Sequence, residues 1–120
     1  MYTGVVLDNE SRKKLKGIFP IPLDWCVKAH HMTINMGAAK DGPAADLIGQ
    51  TVELKVVSVA QDDLVLAVGV ECTTPSNNKQ KHITLAVNEI IGGKAVMSNN
   101  LTEWKNIKPF TLKGQVLEIS

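Results

Sequence analysis

Near the middle of this 120-residue chain, two strongly apolar runs, Gln50 to Ala60 and Leu64 to Cys72, are separated only by Gln61-Asp62-Asp63. A connection that short returns the chain alongside itself, so the two runs must pair as antiparallel strands. The second contains a near-continuous apolar stretch, Leu64-Val65-Leu66-Ala67-Val68. A strand of that kind is covered on both faces, so it belongs at the centre of a sheet rather than on an open surface.

Other segments build outward from this hairpin. Tyr2 to Leu7 reads as a β-branched strand ending at Asp8-Asn9, either of which can cap a helix from Glu10 to Lys16, with Gly17 as its stop. Phe19-Pro20-Ile21-Pro22 interrupts regular structure, and Leu23 to Lys28 is expected to approach irregularly a strand over Ala29 to Met36. Gly37 to Gly42 is a loop. Thr73 to Gln80, rich in Ser, Asn and Pro, is a loop feeding a strand over Lys81 to Val87. Ser98 is expected to cap a short helix reaching about Trp104. The last strand, Phe110 to Ile119, should carry a bulge at Gly114, where its alternation slips. The result is one α+β domain, residues 1–120, built on mainly antiparallel sheet, with no linker or low-complexity tract.

Composition bounds the function. With 44% hydrophobic and 21% charged residues the chain can bury one ordinary core. A formal charge of +1 lacks the signature of a protein that coats nucleic-acid backbones. Cys26 and Cys72 lack metal or redox spacing and read as free thiols packed in a reducing compartment. No apolar stretch approaches the roughly 20 residues that span a bilayer, and the start has no signal-peptide pattern, so a cytoplasmic protein without a membrane partner is expected.

The chemistry sits in two tripeptides, His31-Met32-Thr33 and His82-Ile83-Thr84. On a strand alternate residues share a face, so each His lies beside its Thr at about 7 Å while Met32 and Ile83 face the core. Two imidazoles can divide the work of a phosphodiester hydrolysis: one neutral, taking a proton from water, the other charged, giving one to the departing oxygen. Thr33 and Thr84 would donate hydrogen bonds to the nonbridging phosphate oxygens. Neither step requires a metal or a cofactor.

The duplicated His-x-Thr strands resemble the defining motifs of the two-histidine phosphoesterase superfamily. The stretch from His82 through Gly93-Lys94-Ala95-Val96-Met97-Ser98-Asn99 to Thr111-Leu112-Lys113-Gly114-Gln115-Val116 is similar to the cyclic phosphodiesterase domain of fungal- and plant-type tRNA ligases. This chain is shorter than the usual member. The resemblance implies two pseudo-symmetric lobes around a central cleft, with His31 and His82 catalytic, Thr33 and Thr84 on the phosphate, and a 2′,3′-cyclic phosphate on an RNA end or nucleotide as substrate. Its product would carry a 2′-phosphate, and the role would be RNA repair or processing.

Other residues carry weaker signals. Tyr2 and Trp25 are candidate stacking platforms for a base, and Lys81 and Lys94 flank the second motif as candidate phosphate contacts, as does Lys79. His30, next to His31, should point to the opposite strand face. That opposition disfavours a zinc site built from His30, His31, His82 and a cysteine. Arg12-Lys13-Lys14-Leu15-Lys16 reads as a solvated helix face, and Gly92-Gly93-Lys94 lacks the spacing of a phosphate loop. Two alternative functions use the same residues: hydrolysis of a cyclic dinucleotide or oligonucleotide signal, and a non-catalytic module that binds RNA ends or nucleotides.

Overall fold

The computed structural model describes residues 1–120. The chain runs β1 (Tyr2–Leu7), α1 (Asn9–Ile18), β2 (Cys26–Val27), β3 (His31–Met36), β4 (Thr51–Gln61), β5 (Val65–Glu71), β6 (His82–Val87) and β7 (Lys105–Ile119). Short 3-10 turns cover Ala39–Asp41, Ala45–Leu47, Glu89–Ile91 and Ala95–Asn100. The strands pair antiparallel in the order β6-β3-β1-β7-β4-β5, and β5 bonds back to β6, so six strands close into a barrel. The short β2 lies along the far half of β6, with Cys26 opposite Val87 and Val27 opposite Ala86.

This closure overturns the expectation of an α+β fold in two pseudo-symmetric lobes. The six expected strands all form, but they make one closed sheet, and α1 is the one α-helix. Two-lobe symmetry fails because β3 and β6, which carry the two motifs, are neighbours in that sheet.

Period-two alternation fills the barrel. Val5 and Leu7 of β1, Met32 and Ile34 of β3, Leu54 and Val56 of β4, Leu66 and Val68 of β5, Ile83 and Leu85 of β6, and Leu112 and Val116 of β7 join one buried cluster. The apolar run of β5 is covered on both faces as expected: Val65 and Ala67, on the opposite face from Leu66 and Val68, are also fully buried. The segment after β6 folds over that outer face, bringing Trp104 beside Gly69.

Helix α1 begins where the sequence indicates. Asp8 accepts a 2.7 Å hydrogen bond from the Ser11 amide, the N-cap arrangement that satisfies an otherwise orphan donor. This bond is also what holds the Asp8 carboxyl below its usual range. Ser11 and Leu15, one turn apart, face inward; the Ser11 hydroxyl accepts from the Lys113 amide at 2.8 Å. The helix continues through Gly17 to Ile18 rather than stopping at Lys16.

The expected helix from Ser98 to Trp104 does not form. Ser98 is buried, and its hydroxyl bonds Thr84 Oγ1 at 2.8 Å, so it is not available to cap a helix. The chain makes a 3-10 turn over Ala95–Asn100 and then irregular structure, with Trp104 Nε1 donating to the Leu101 carbonyl. Nor does β7 bulge at Gly114, which pairs in register with Leu7 on one side and Val52 on the other. The irregularity lies earlier, between Val56 and Ser58 of β4, whose partners on β7 jump from Phe110 to Asn106 across Pro109. Proline has no amide to give a ladder, so the strand passes it by leaving register. Of the two cysteines, Cys72 packs against the core, but Cys26 is exposed rather than buried.

Gly114 is required by close approach. A Cβ there would lie 2.7 Å from both Val5 Cγ1 and the Val6 carbonyl oxygen, whereas one at Gly17 would meet nothing within 4 Å. The same substitution should therefore have opposite signs at the two sites. Gly114→Ala is expected to destabilise by about 1 to 3 kcal/mol through overpacking, and Gly17→Ala to stabilise by about 0.5 to 1 kcal/mol through helix propensity. Urea midpoints at unchanged slope measure both.

Candidate functional site

Strands β3 and β6 share a single ladder pair, Met32 opposite Ile83, both fully buried inside the barrel. The residues flanking that pair point outward. Antiparallel register sets Thr33 beside His82 and His31 toward Thr84, so the two motifs meet in one patch on the barrel's outer wall. All four side chains line a pocket of about 450 Å³. On one side of the pair, β3 parts from β6 and the Thr73–Gln80 loop enters: Ser76 Oγ donates to the Thr33 carbonyl and the Asn77 amide to that of Ile34. Asn78 of this loop lines the pocket.

On the other side the chain carries extra residues. The Lys28 and Ala29 amides bond to the carbonyls of Leu85 and Thr84, yet Met32 already sits opposite Ile83. His30 and His31 therefore fall between two consecutive positions of β6 and must bulge. Ala29 takes the turn with φ of 46°, a left-handed conformation rare for a residue with a side chain. Its strain is held in place by Arg12, which donates through Nε to the Ala29 carbonyl at 3.0 Å and through the guanidinium to that of Lys28 at 3.3 Å. Arg12 is thus a clamp on the bulge, not part of a solvated face.

The bulge reverses one expectation. His30 does not point away from His31: both line the pocket, with their Nδ1 atoms 3.0 Å apart. Re-aiming a side chain is what a bulge does to a strand. Tyr2, on β1, stands over His31 with ring centroids 4.7 Å apart and its hydroxyl 3.3 Å from the same Nδ1. Gly4 clears the space between β1 and this ring, since a Cβ there would lie 2.8 Å from the Met32 carbonyl oxygen and 3.5 Å from His31 Cδ2.

The two motif histidines are held differently. His82 Nδ1 lies 2.7 Å from the Gln80 carbonyl, which can only accept, so Nδ1 carries the proton and the Nε2 lone pair is left free. His82 also packs at 6.4 Å from the Trp104 ring. His31 has its Nδ1 engaged by His30 and Tyr2 instead. Burial lowers the His31 pKa to about 4, helped by repulsion from His30 and His82. Burial lowers His82 as well, opposed by the Gln80 carbonyl, and His30 is lowered by burial and then by the Arg12 guanidinium. The unliganded site is thus a set of neutral imidazoles near pH 7.

The threonines are unequal too. The Thr33 hydroxyl is uncommitted, while that of Thr84 is shared between Ser98 Oγ at 2.8 Å and the Ala95 carbonyl at 3.3 Å. An anion bound at Thr84 must displace the second of these bonds.

Of the other sequence candidates, Tyr2 lines the pocket, and Trp25, Lys81 and Lys94 do not. Trp25 packs against the core, Lys81 Nζ donates to the Cys72 carbonyl at 2.6 Å, and Lys94 lies in a neighbouring hollow near Glu89. The pocket cation is Lys28, 3.3 Å from Glu89. Lys28, His30, Met36, Asn78, Ala95, Val96 and Asn99 complete the lining. The position of Asn78 was legible as part of a polar loop feeding the second motif; nothing local marks Lys28 or Met36. His30 and His31 share the pocket, so the opposed faces expected to disfavour a zinc site are not present.

A depressed histidine pKa makes stability depend on pH with a definite sign. Between about 6.5 and 4 the unfolded chain binds the His31 proton and the folded one does not, so stability falls as pH falls through that window. The slope contributed is at most about 1.4 kcal/mol per pH unit. Urea midpoints measured from pH 7 to 4 should drop less steeply for His31→Gln than for the parent protein. No family model, curated protein or solved structure matches this chain.

Proposed function

We propose that the protein is a metal-independent phosphodiesterase that opens 2′,3′-cyclic phosphates on RNA ends or nucleotides. The observation that carries this reading is the convergence of His31, Thr33, His82 and Thr84 on one pocket from two adjacent strands. In this reading the imidazoles supply acid and base to one bound phosphate, and the hydroxyls supply donors to its nonbridging oxygens. The pocket volume of about 450 Å³ suits a mononucleotide or a chain terminus. Tyr2 offers a ring face at its edge.

In this mechanism the substrate phosphate does more than react. Its negative charge raises the pKa of every imidazole around it, so binding creates the protonated acid that the empty site disfavours. Binding and protonation are therefore coupled. The free protein's lowered histidine values place the optimum of kcat/KM below about pH 6.5, while kcat, which reports the complex, should peak at higher pH.

The test is a panel of nucleoside 2′,3′-cyclic phosphates, cyclic-phosphate-ended RNA and cyclic dinucleotides, incubated with chelator present and products identified. Turnover of the first two is expected to survive chelation, because proton transfer between imidazoles and substrate calls on no Lewis acid. His31→Ala and His82→Ala should each lower kcat by at least about a hundredfold, the double variant by far less than the product, and Thr33→Ala more mildly. A folded His82→Ala protein with parental turnover on every substrate would overturn the reading.

A further inference from the structure

We propose that His30 is the proton-supplying positioning residue of the site: it feeds His31 through their shared Nδ1 contact, making the His30–His31 pair the general acid and His82 the general base. The inference rests on the phosphodiesterase reading and assigns the two motif histidines roles that their matching tripeptides leave interchangeable.

The assignment begins with His82. Its Nδ1 proton is committed to the Gln80 carbonyl at 2.7 Å, so Nε2 can only accept until the ring becomes charged. That is the state of a base. The same carbonyl stabilises the imidazolium that forms when His82 takes a proton from water.

His31 faces the opposite constraint. Two groups with protons to give, the His30 ring and the Tyr2 hydroxyl, converge on its Nδ1 at 3.0 and 3.3 Å. When His30 is charged both of its ring nitrogens are donors, and His31 Nδ1 must then accept. Nε2 of His31 consequently carries the other proton, free for a departing oxygen. Two rings whose nitrogens are 3.0 Å apart cannot both hold an extra proton, so the pair titrates as one acid. Burial, which lowers His31 further than His30, keeps that proton on His30 rather than His31.

The surroundings support this division. Arg12 reaches from α1 to the backbone on which His30 stands, and its charge makes His30 a readier donor. Tyr2 faces the pair from β1, His82 from β6, and Lys28 lines the same pocket with its charge turned to Glu89. There is no carboxylate in the pocket lining to trap the proton.

The step balances. Water oxygen bonds to phosphorus as one of its protons passes to His82 Nε2. The bond from phosphorus to the ribose oxygen breaks, and that oxygen takes the proton from His31 Nε2. His31 Nδ1 in turn receives the proton from His30 Nδ1. His31 ends neutral as the other tautomer, His30 ends neutral, and His82 ends charged; exchange with solvent resets the three.

The discriminating variant is His30→Asn, whose amide nitrogen can still donate to His31 Nδ1 but cannot titrate. A nucleoside 2′,3′-cyclic phosphate has an alkoxide leaving group that needs a proton; bis(p-nitrophenyl) phosphate leaves as a phenolate that does not. His30→Asn should lower kcat on the cyclic phosphate at least about tenfold, shift the alkaline limb of its pH profile downward, and leave turnover of the aryl ester within about twofold. Equal losses on both substrates, or none on the cyclic phosphate, would overturn the role of His30 while leaving the phosphodiesterase reading intact. Failure of that reading shows instead as a wild-type protein inactive on both. Independently of turnover, long-range proton–nitrogen correlation spectra of the wild-type protein saturated with inorganic phosphate, whose charge favours the protonated pair, should show His82 protonated on Nδ1, His31 on Nε2 and His30 on both ring nitrogens. His31 protonated on Nδ1 would refute the proposal.

Discussion

The hydrogen bonds between β5 and β6 govern the rest of the molecule. They turn a row of strands into a closed wall, and they hold β6 at both ends, with Val65 opposite Val87 and Gly69 opposite His82 and one slip of register at Leu85. The other side of β6 is divided between β2 and β3, whose connection is two residues too long for the strand it follows. Since β6 is fixed, the surplus can be absorbed only on the β2–β3 side, at Ala29 and the histidines after it. The gap in the wall and the crowding of imidazoles at it are both products of closure.

Placing the polar groups on the outside of this wall avoids an expense that the interior would impose. Inside the barrel, Met32 and Ile83 contribute hydrophobic burial with nothing polar to satisfy. One residue along each strand, the His and Thr side chains face a pocket walled by a loop and a 3-10 turn, dry enough to lower imidazole basicity but open to an incoming anion. The same alternation that packs the core thus sorts chemistry from packing at single-residue resolution. Arg12 extends the arrangement to α1, linking a helix capped by Asp8 to the backbone geometry of the site.

Much of this was legible in the residues. The β5 run with no polar interruption had to be covered on both faces, and it is; the motif strands had to turn His31, Thr33, His82 and Thr84 away from Met32 and Ile83, and they do. Closure was not legible, because β5–β6 pairing is a contact between strands separated by a loop of polar residues, and no local pattern distinguishes a sheet that ends from one that meets itself. Alternation also misplaced His30. Period-two reasoning assumes an unbroken strand, and the break at Ala29 is set by the register of β6, which is distant in sequence. Lys81 and Lys94 were chosen for closeness in sequence to His82, but Lys81 has a carbonyl of Cys72 to satisfy and Lys94 follows a turn that carries it into the next hollow. The β7 irregularity is marked by Pro109, whereas a glycine such as Gly114 can signal either a bulge or a close approach, and its residue type does not say which.

The pocket joins two materials. Its floor is strand, with His31 and His82 on elements bonded on either side within a barrel that has no free end from which to fray. Its rim is loop and 3-10 turn, where Asn78, Ala95, Val96 and Asn99 depend on a few side-chain and turn contacts such as the Ser98–Thr84 bond. Local opening costs least where backbone hydrogen bonds are fewest. The histidines therefore share the lifetime of the whole fold, while the rim can loosen on its own and admit ligands of different shape to an unchanged floor. Selectivity in such a pocket resides in its most changeable part, and the imidazoles stand on its least.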